Sequence, residues 1–135
     1  MADFNDSLVF NRSITVNGPV VGLAEHVSLD VPNLAGTGIY GIPSPVAGTV
    51  IAVRTLLKAP LTTGNATLTS KIGATAITDG VVTITQAGSA IGDIDLASPT
   101  AANTVAEGSN LSVTVGGTND AAVGATVVFT IRRSA

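Results

Sequence analysis

Residues 45–85 read PVAGTVIAVRTLLKAPLTTGNATLTSKIGATAITDGVVTIT, and this stretch decides the fold class. Gly48 to Lys58 is a run of β-branched and aliphatic residues that Pro60 stops, since proline has no N–H to give to a ladder. Within it Ile51, Val53 and Leu57 alternate with Val50, Ala52, Arg54 and Leu56, so both faces have apolar character. A strand covered on both sides lies centrally in a sandwich, or has one face in a subunit interface. Thr62-Thr63-Gly64-Asn65 is a turn cluster. Leu68, Ser70 and Ile72 then alternate with Thr67, Thr69 and Lys71 until Gly73 breaks the run. Ala76 to Thr85 predicts a hairpin about Asp79-Gly80, whose residues accept the positive φ angles of a tight primed turn.

The same grammar extends outward. Val27, Leu29 and Val31 share one face of a strand that Pro32-Asn33 ends, and Ile39 to Ile42 forms a short strand before Pro43 and Pro45. Residues 86–106 are looser, with a short irregular strand at Ile91, Ile94 and Leu96 and room for one helical turn in SPTAAN. Glu107-Gly108 turns the chain into the alternating strand Leu111 to Val115. The last strand, Ala125 to Arg132, sets Val127, Phe129 and Ile131 on one face. Short strands at spacings of about ten residues, with no helical period between them, predict an all-β fold, an antiparallel β-sandwich. Residues 23–135 form that sandwich domain, and residues 1–22 form an extended N-terminal arm punctuated by Asp3, Asn5, Asp6, Asn11 and Asn17-Gly18-Pro19. The arm is either a first edge strand of the same sheet or an extension lying on a neighbouring subunit.

Composition narrows the function. Only 11% of the 135 residues are charged, against about 25% in an average soluble domain. Apolar residues make up 45% and aromatic residues 3%, and mean hydropathy is +0.51. So sparse a charge points to surface buried against copies of the chain or against a larger partner. A net charge of −3 disfavours a phosphate-binding surface, so no nucleic-acid partner is expected. The chain has no cysteine, hence no disulfide framework, thiolate metal site or cysteine nucleophile. The first residues do not read as a secretory signal, and no apolar run reaches the roughly 18 residues of a spanning helix, so no membrane partner is expected.

The strings PSPVAGTVIAV and ATLTSKIGATAITDGVVTITQAGSAIGDIDLASPTAANTVAEGSNLSVTVGG resemble small structural proteins of tailed bacteriophages, among them capsid decoration (cement) proteins. The likeness runs over rather more than half the chain and rests on Pro45-Val46-Ala47-Gly48-Thr49, the IGATAITDGVVTI segment, the AGSAIGDID loop and Pro99-Thr100-Ala101-Ala102-Asn103. It implies a jelly-roll-like sandwich that assembles as dimers or trimers on the outside of an icosahedral head. Residues 1–22 match nothing in that family's pattern.

No residue pattern names a reaction. His26 is the one histidine, without a second metal ligand or a nucleophile to serve, and reads as a strand-edge surface or interface side chain. Asp93 and Asp95 could offer two oxygens to Ca²⁺, but further acidic ligands and the glycine spacing of a calcium loop are missing, so they read as solvated loop carboxylates. No catalytic, cofactor-binding or metal residues are therefore assigned, no cofactor is expected, and the protein is expected not to be an enzyme. Phe4, Leu8, Phe10 and Arg12 in the arm, with Arg54, Arg132 and Arg133, are the candidate partner contacts. Arg54 interrupts the apolar run Val50–Leu57 and should be paired if it is covered.

The expected role is that of a virion protein made in the host cytoplasm. It would bind the major capsid protein as a homo-oligomer and bridge shell subunits on the outer capsid surface. The alternative is a host-binding module of a fibre or spike, against which stands the shortage of Trp and Tyr for hot spots.

Overall fold

The computed structural model describes residues 23–134, in which nine strands and no helix form two antiparallel sheets. They are β1 (Ala24–Val31), β2 (Ile39–Pro43), β3 (Gly48–Leu57), β4 (Ala66–Ile72), β5 (Thr75–Ile84), β6 (Ile94–Ala97), β7 (Thr104–Val105), β8 (Asn110–Gly117) and β9 (Ala125–Arg133). Sheet A runs β1-β9-β3-β6, with the two-residue β7 also on β3, and sheet B runs β2-β8-β4-β5. The fold is an all-β sandwich, as the strand spacing predicts. Phe4, Leu8, Phe10 and Arg12 lie outside the described residues, as does the choice between edge strand and extension for residues 1–22.

The core fills from alternate positions of both sheets. Leu29 and Val31 of β1, Val50, Val53 and Leu57 of β3, and Val127, Phe129 and Ile131 of β9 meet Leu68, Val82, Ile84, Leu111, Val113 and Val115 of sheet B. Phe129 is fully buried between its register partners Val27 and Val53, and burial of such a side chain is worth about 2–3 kcal/mol. Small branched residues do the rest, which is why a core so poor in aromatic rings still closes.

Two expectations about β3 and β5 are corrected. Ile51 does not share the core face with Val53. A bulge between Val50 and Ala52 shifts the phase, so Val50 opposes Ile131, Val53 opposes Phe129, and both point into the core. The hairpin at Asp79-Gly80 does not form either. The turn falls at Gly73-Ala74, between the paired residues Ile72 and Thr75, with Gly73 at φ +60° in the first central position that a II′ turn reserves for glycine. Two tight turns cannot be fitted into so short a ribbon, and the ladder from Lys71↔Ala76 to Ala66↔Ile84 keeps β5 on one partner. Asp79, at φ 59°, instead belongs to a bulge in which residues 77–80 face Ser70 alone.

That bulge has a structural use. It tucks Ile77 into the core and turns Thr78 outward, where its N–H donates to Ala101 O and its carbonyl accepts from Thr100 N–H. The Thr100 hydroxyl also donates to Asp79. Two residues on, Asn103 joins the other sheet: its carbonyl accepts from Val50 N–H and its side-chain amide donates to Val50 O, both at 2.8 Å. The SPTAAN segment is thus a clip, bent at Ala102 (φ 51°), that ties β5 of sheet B to the β3 bulge of sheet A, and not a helical turn.

Candidate functional site

The outward face of sheet A is the most unusual surface among the described residues. Registers fix which side chains it carries, because the residues between the core positions alternate outward. One row across the sheet is Ser28, Val128, Arg54 and Leu96, the next is Asp30, Thr126, Leu56 and Ile94, and a third is His26, Thr130 and Ala52. Leu56, Ile94 and Leu96 stand 43%, 67% and 54% exposed, together on strands β3 and β6, with exposed Ile91 in the turn before β6. Single exposed aliphatic residues mean little, but three adjacent ones on a flat sheet form a patch.

A groove of about 280 Å³ runs over this patch, lined by His26, Arg54, Thr55, Leu56, Ile94 and Val128. Its positive charge is concentrated at Arg54, whose Nη1 donates to Thr130 Oγ1 at 3.4 Å, a long and weak bond. Among the described residues Arg54 has no carboxylate partner. The nearest acid in the rows, Asp30, is already paired with Lys58 at the corner of the sheet. An aliphatic floor around one guanidinium suits an apolar segment that carries a carboxylate.

The sequence candidates separate here. Arg54 and Arg132 occupy the outward positions of sheet A, opposite Val128 and Ala24 respectively. Arg133 faces elsewhere and donates to Glu25 Oε1 at 3.3 Å, a half-exposed pair of small energetic weight. Leu56, Ile94, Leu96 and Val128 were not singled out as contacts. The available signal was the double apolar character of Val50–Leu57, which already posed a subunit interface as one reading of β3.

The outward face of sheet B differs in chemistry. Its rows hold Thr83, Thr67 and Gly116, then Val81, Thr69, Thr114 and Ile39, then Lys71, Ser112 and Gly41. Threonine and serine make up half of these positions, with Ile39 and Val81 exposed among them.

Asp93 and Asp95 stand beside a shallow pocket formed with Ser89 and Ile94. Asp93 Oδ2 accepts from Ala90 N–H at 2.8 Å and closes the turn that feeds β6. Burial, with the Asp93 charge beside it, pushes the Asp95 carboxyl above its ordinary value. Among the described residues no group of three or more His, Asp or Glu side chains is placed to hold a metal ion. His26 lies exposed at the groove.

No protein-family profile matches the chain, and no curated protein matches it. Among solved structures, the cyanophage Pam1 capsid asymmetric unit contains a chain similar to this one over 91% of this chain and 94% of that chain, at 19% identity and a TM-score of 0.49. A likeness of that degree carries no argument about what this chain does.

Proposed function

We propose that the chain is a non-enzymatic structural protein of a bacteriophage virion, a decoration protein that sits on the outer surface of the icosahedral head and holds shell subunits together. The observation that carries this reading is the outward face of sheet A: an aliphatic patch beside Arg54, which has no carboxylate partner among the described residues, on a chain with only 11% charged residues. Such a face is costly in water and gains on burial at about 25 cal/mol per Å². The resemblance of residues 43–117 to phage decoration proteins supports the same role. So does the strand order. With β7 set aside, β1-β9-β3-β6 over β2-β8-β4-β5 is the order of eight strands wound as nested Greek keys, and the jelly-roll reading belongs to this proposal.

Copies joined through sheet A would present several identical shell-contact surfaces at once. After the first contact the next is intramolecular, so weak individual contacts add to a firm hold. The contact with the major capsid protein and the oligomer are both part of the proposal. Quantitative mass spectrometry of purified particles tests it. A copy number in fixed ratio to the shell subunit is expected, whereas a handful of copies per particle would assign the chain to a fibre or tail and overturn the reading.

A further inference from the structure

We infer that the outer edge of β1 pairs with β1 of a second copy, antiparallel across a two-fold axis at Val27, so that two copies share one continuous sheet. This deepens the reading above and rests on it only for there being an oligomer. Its test uses the free protein, so the copy number on particles stands or falls separately.

The edge strands of the two sheets are not alike. On sheet A, β6 and β7 are only four and two residues long. On sheet B, β2 ends in Pro43, which has no N–H, and β5 bulges at residues 77–80 and commits Thr78 to Ala101 and Thr100. Shortness, proline and bulges are the devices that keep an edge from pairing. β1 has none of them: it runs eight residues without glycine or proline, in unbroken register with β9. Its one inward-facing charge, Glu25, is paired with Arg133 near the start of the strand.

Backbone direction along β1 follows from that register. The carbonyl of Leu23 accepts from Arg133 N–H, so the N–H and C=O groups of Glu25, Val27, Leu29 and Val31 also turn toward β9. Those of Ala24, His26, Ser28 and Asp30 turn the other way, and no described strand receives them. Such a row is a template for one more strand.

Symmetry and charge select the register. With Val27 facing its own copy on the axis, Ala24 pairs with Asp30 of the second copy and His26 with Ser28 of the second copy. Each pair exchanges both backbone bonds, and the two-fold repeats the set. Sliding the strands by two residues one way sets His26 against His26. Sliding them the other way sets Ala24 against Pro32, which has no N–H to give. The chosen register also brings unlike charges together. Asp30 of the second copy stands opposite Ala24, and so small a side chain leaves Arg132, the next residue across on β9, room to reach that carboxylate. Arg132 is exposed and has no carboxylate partner among the described residues. The axis stands perpendicular to the sheet, so the Leu56, Ile94 and Leu96 patches of both copies face the same side and stay open to the burial proposed above.

The absence of native cysteine makes cross-linking decisive. Facing residues of a non-hydrogen-bonded pair have Cα atoms about 4.5 Å apart, within disulfide range. Full-length Val27→Cys protein, its fold checked by its unfolding midpoint, should therefore oxidise to a disulfide-linked dimer. It should do so about tenfold faster than Ser28→Cys, whose copies are offset along the strand, or Thr83→Cys on the outward face of sheet B. A Val27→Cys rate no greater than that of Thr83→Cys would mean that β1 does not meet its copy, and Ser28→Cys as the fastest variant would refute the register; either overturns the inference. Ser28→Pro supplies the second readout, because it removes an N–H that β9 does not use. By sedimentation the folded variant should self-associate roughly a hundredfold more weakly than wild type, having lost a bond on each side of the axis. Association equal to that of wild type, or a wild type that is monomeric at high concentration, would also overturn the inference.

Discussion

Adding one methyl group at Gly48 tests how closely the central strands approach. Gly48 opens β3 and is paired with Arg133 of β9 on one side and Val105 of β7 on the other. A Cβ there would lie 2.2 Å from the backbone oxygen of Arg132 and 2.9 Å from Ile131 Cγ2, whereas ordinary contact begins near 3.4 Å. The oxygen belongs to backbone and cannot rotate away, so β3 and β9 must part by roughly an ångström, loosening the dispersion contacts around them. β9 also carries β1, so the shift reaches two strand pairs. Gly48→Ala should therefore cost about 3 kcal/mol, the upper end of the overpacking range. With a urea slope of about 1.5–2 kcal/mol/M, the unfolding midpoint falls by about 1.5–2 M. Gly73→Ala is the comparison. Its added Cβ meets nothing within 4 Å and only the φ of +60° opposes it, for about 1 kcal/mol and a midpoint shift of about 0.5 M. A Gly48→Ala midpoint no lower than that of Gly73→Ala would refute the packing argument.

Replacing Asn103 by Ala removes the amide bond to Val50 O and should cost about 1 kcal/mol in thermal or urea unfolding, with the sandwich retained. Among the described residues, the buried hydroxyls of Thr55 and Ser70 have no hydrogen-bond partner, so Thr55→Val and Ser70→Ala should each be neutral or stabilise by about 1 kcal/mol in the same assay. Asp95 has its folded pKa raised, so the folded state holds its proton more tightly than the unfolded chain does. Its contribution is most favourable below the ordinary value of 3.8 and is lost as the pH rises through the raised value. Asp95→Asn should accordingly match wild type at low pH and become the more stable of the two as the pH rises, read from unfolding midpoints across that window.

How far the sequence revealed this architecture depended on whether the deciding forces were local. Val27, Leu29 and Val31 were legible because one face of β1 is buried, and a one-residue slip would turn all of them to water. The β9 faces were legible for the same reason. Asp79-Gly80 misled because two sites competed to make one turn, and the winner was set by ladder pairing across β4 and β5, which no dipeptide preference records. The β3 bulge was invisible because Asn103, whose amide and carbonyl occupy the Val50 backbone groups, is remote in sequence. The site was half legible. Arg54 stood out as a charge in an apolar run, but its neighbours Val128 and Leu96 come from strands that only the register brings alongside.

The central claim is that this sandwich exists to be packed against protein on a viral shell. Co-sedimentation with heads that lack the chain tests it most directly, comparing wild type with a Leu56→Thr/Ile94→Thr/Leu96→Thr variant whose folding is checked by its unfolding midpoint. The account predicts saturable binding of wild type in fixed ratio to the shell subunit, and a large loss of binding in the folded variant as its oligomer contact fails. Wild-type protein that stays monomeric in the supernatant, or a variant that binds as well as wild type, would contradict it.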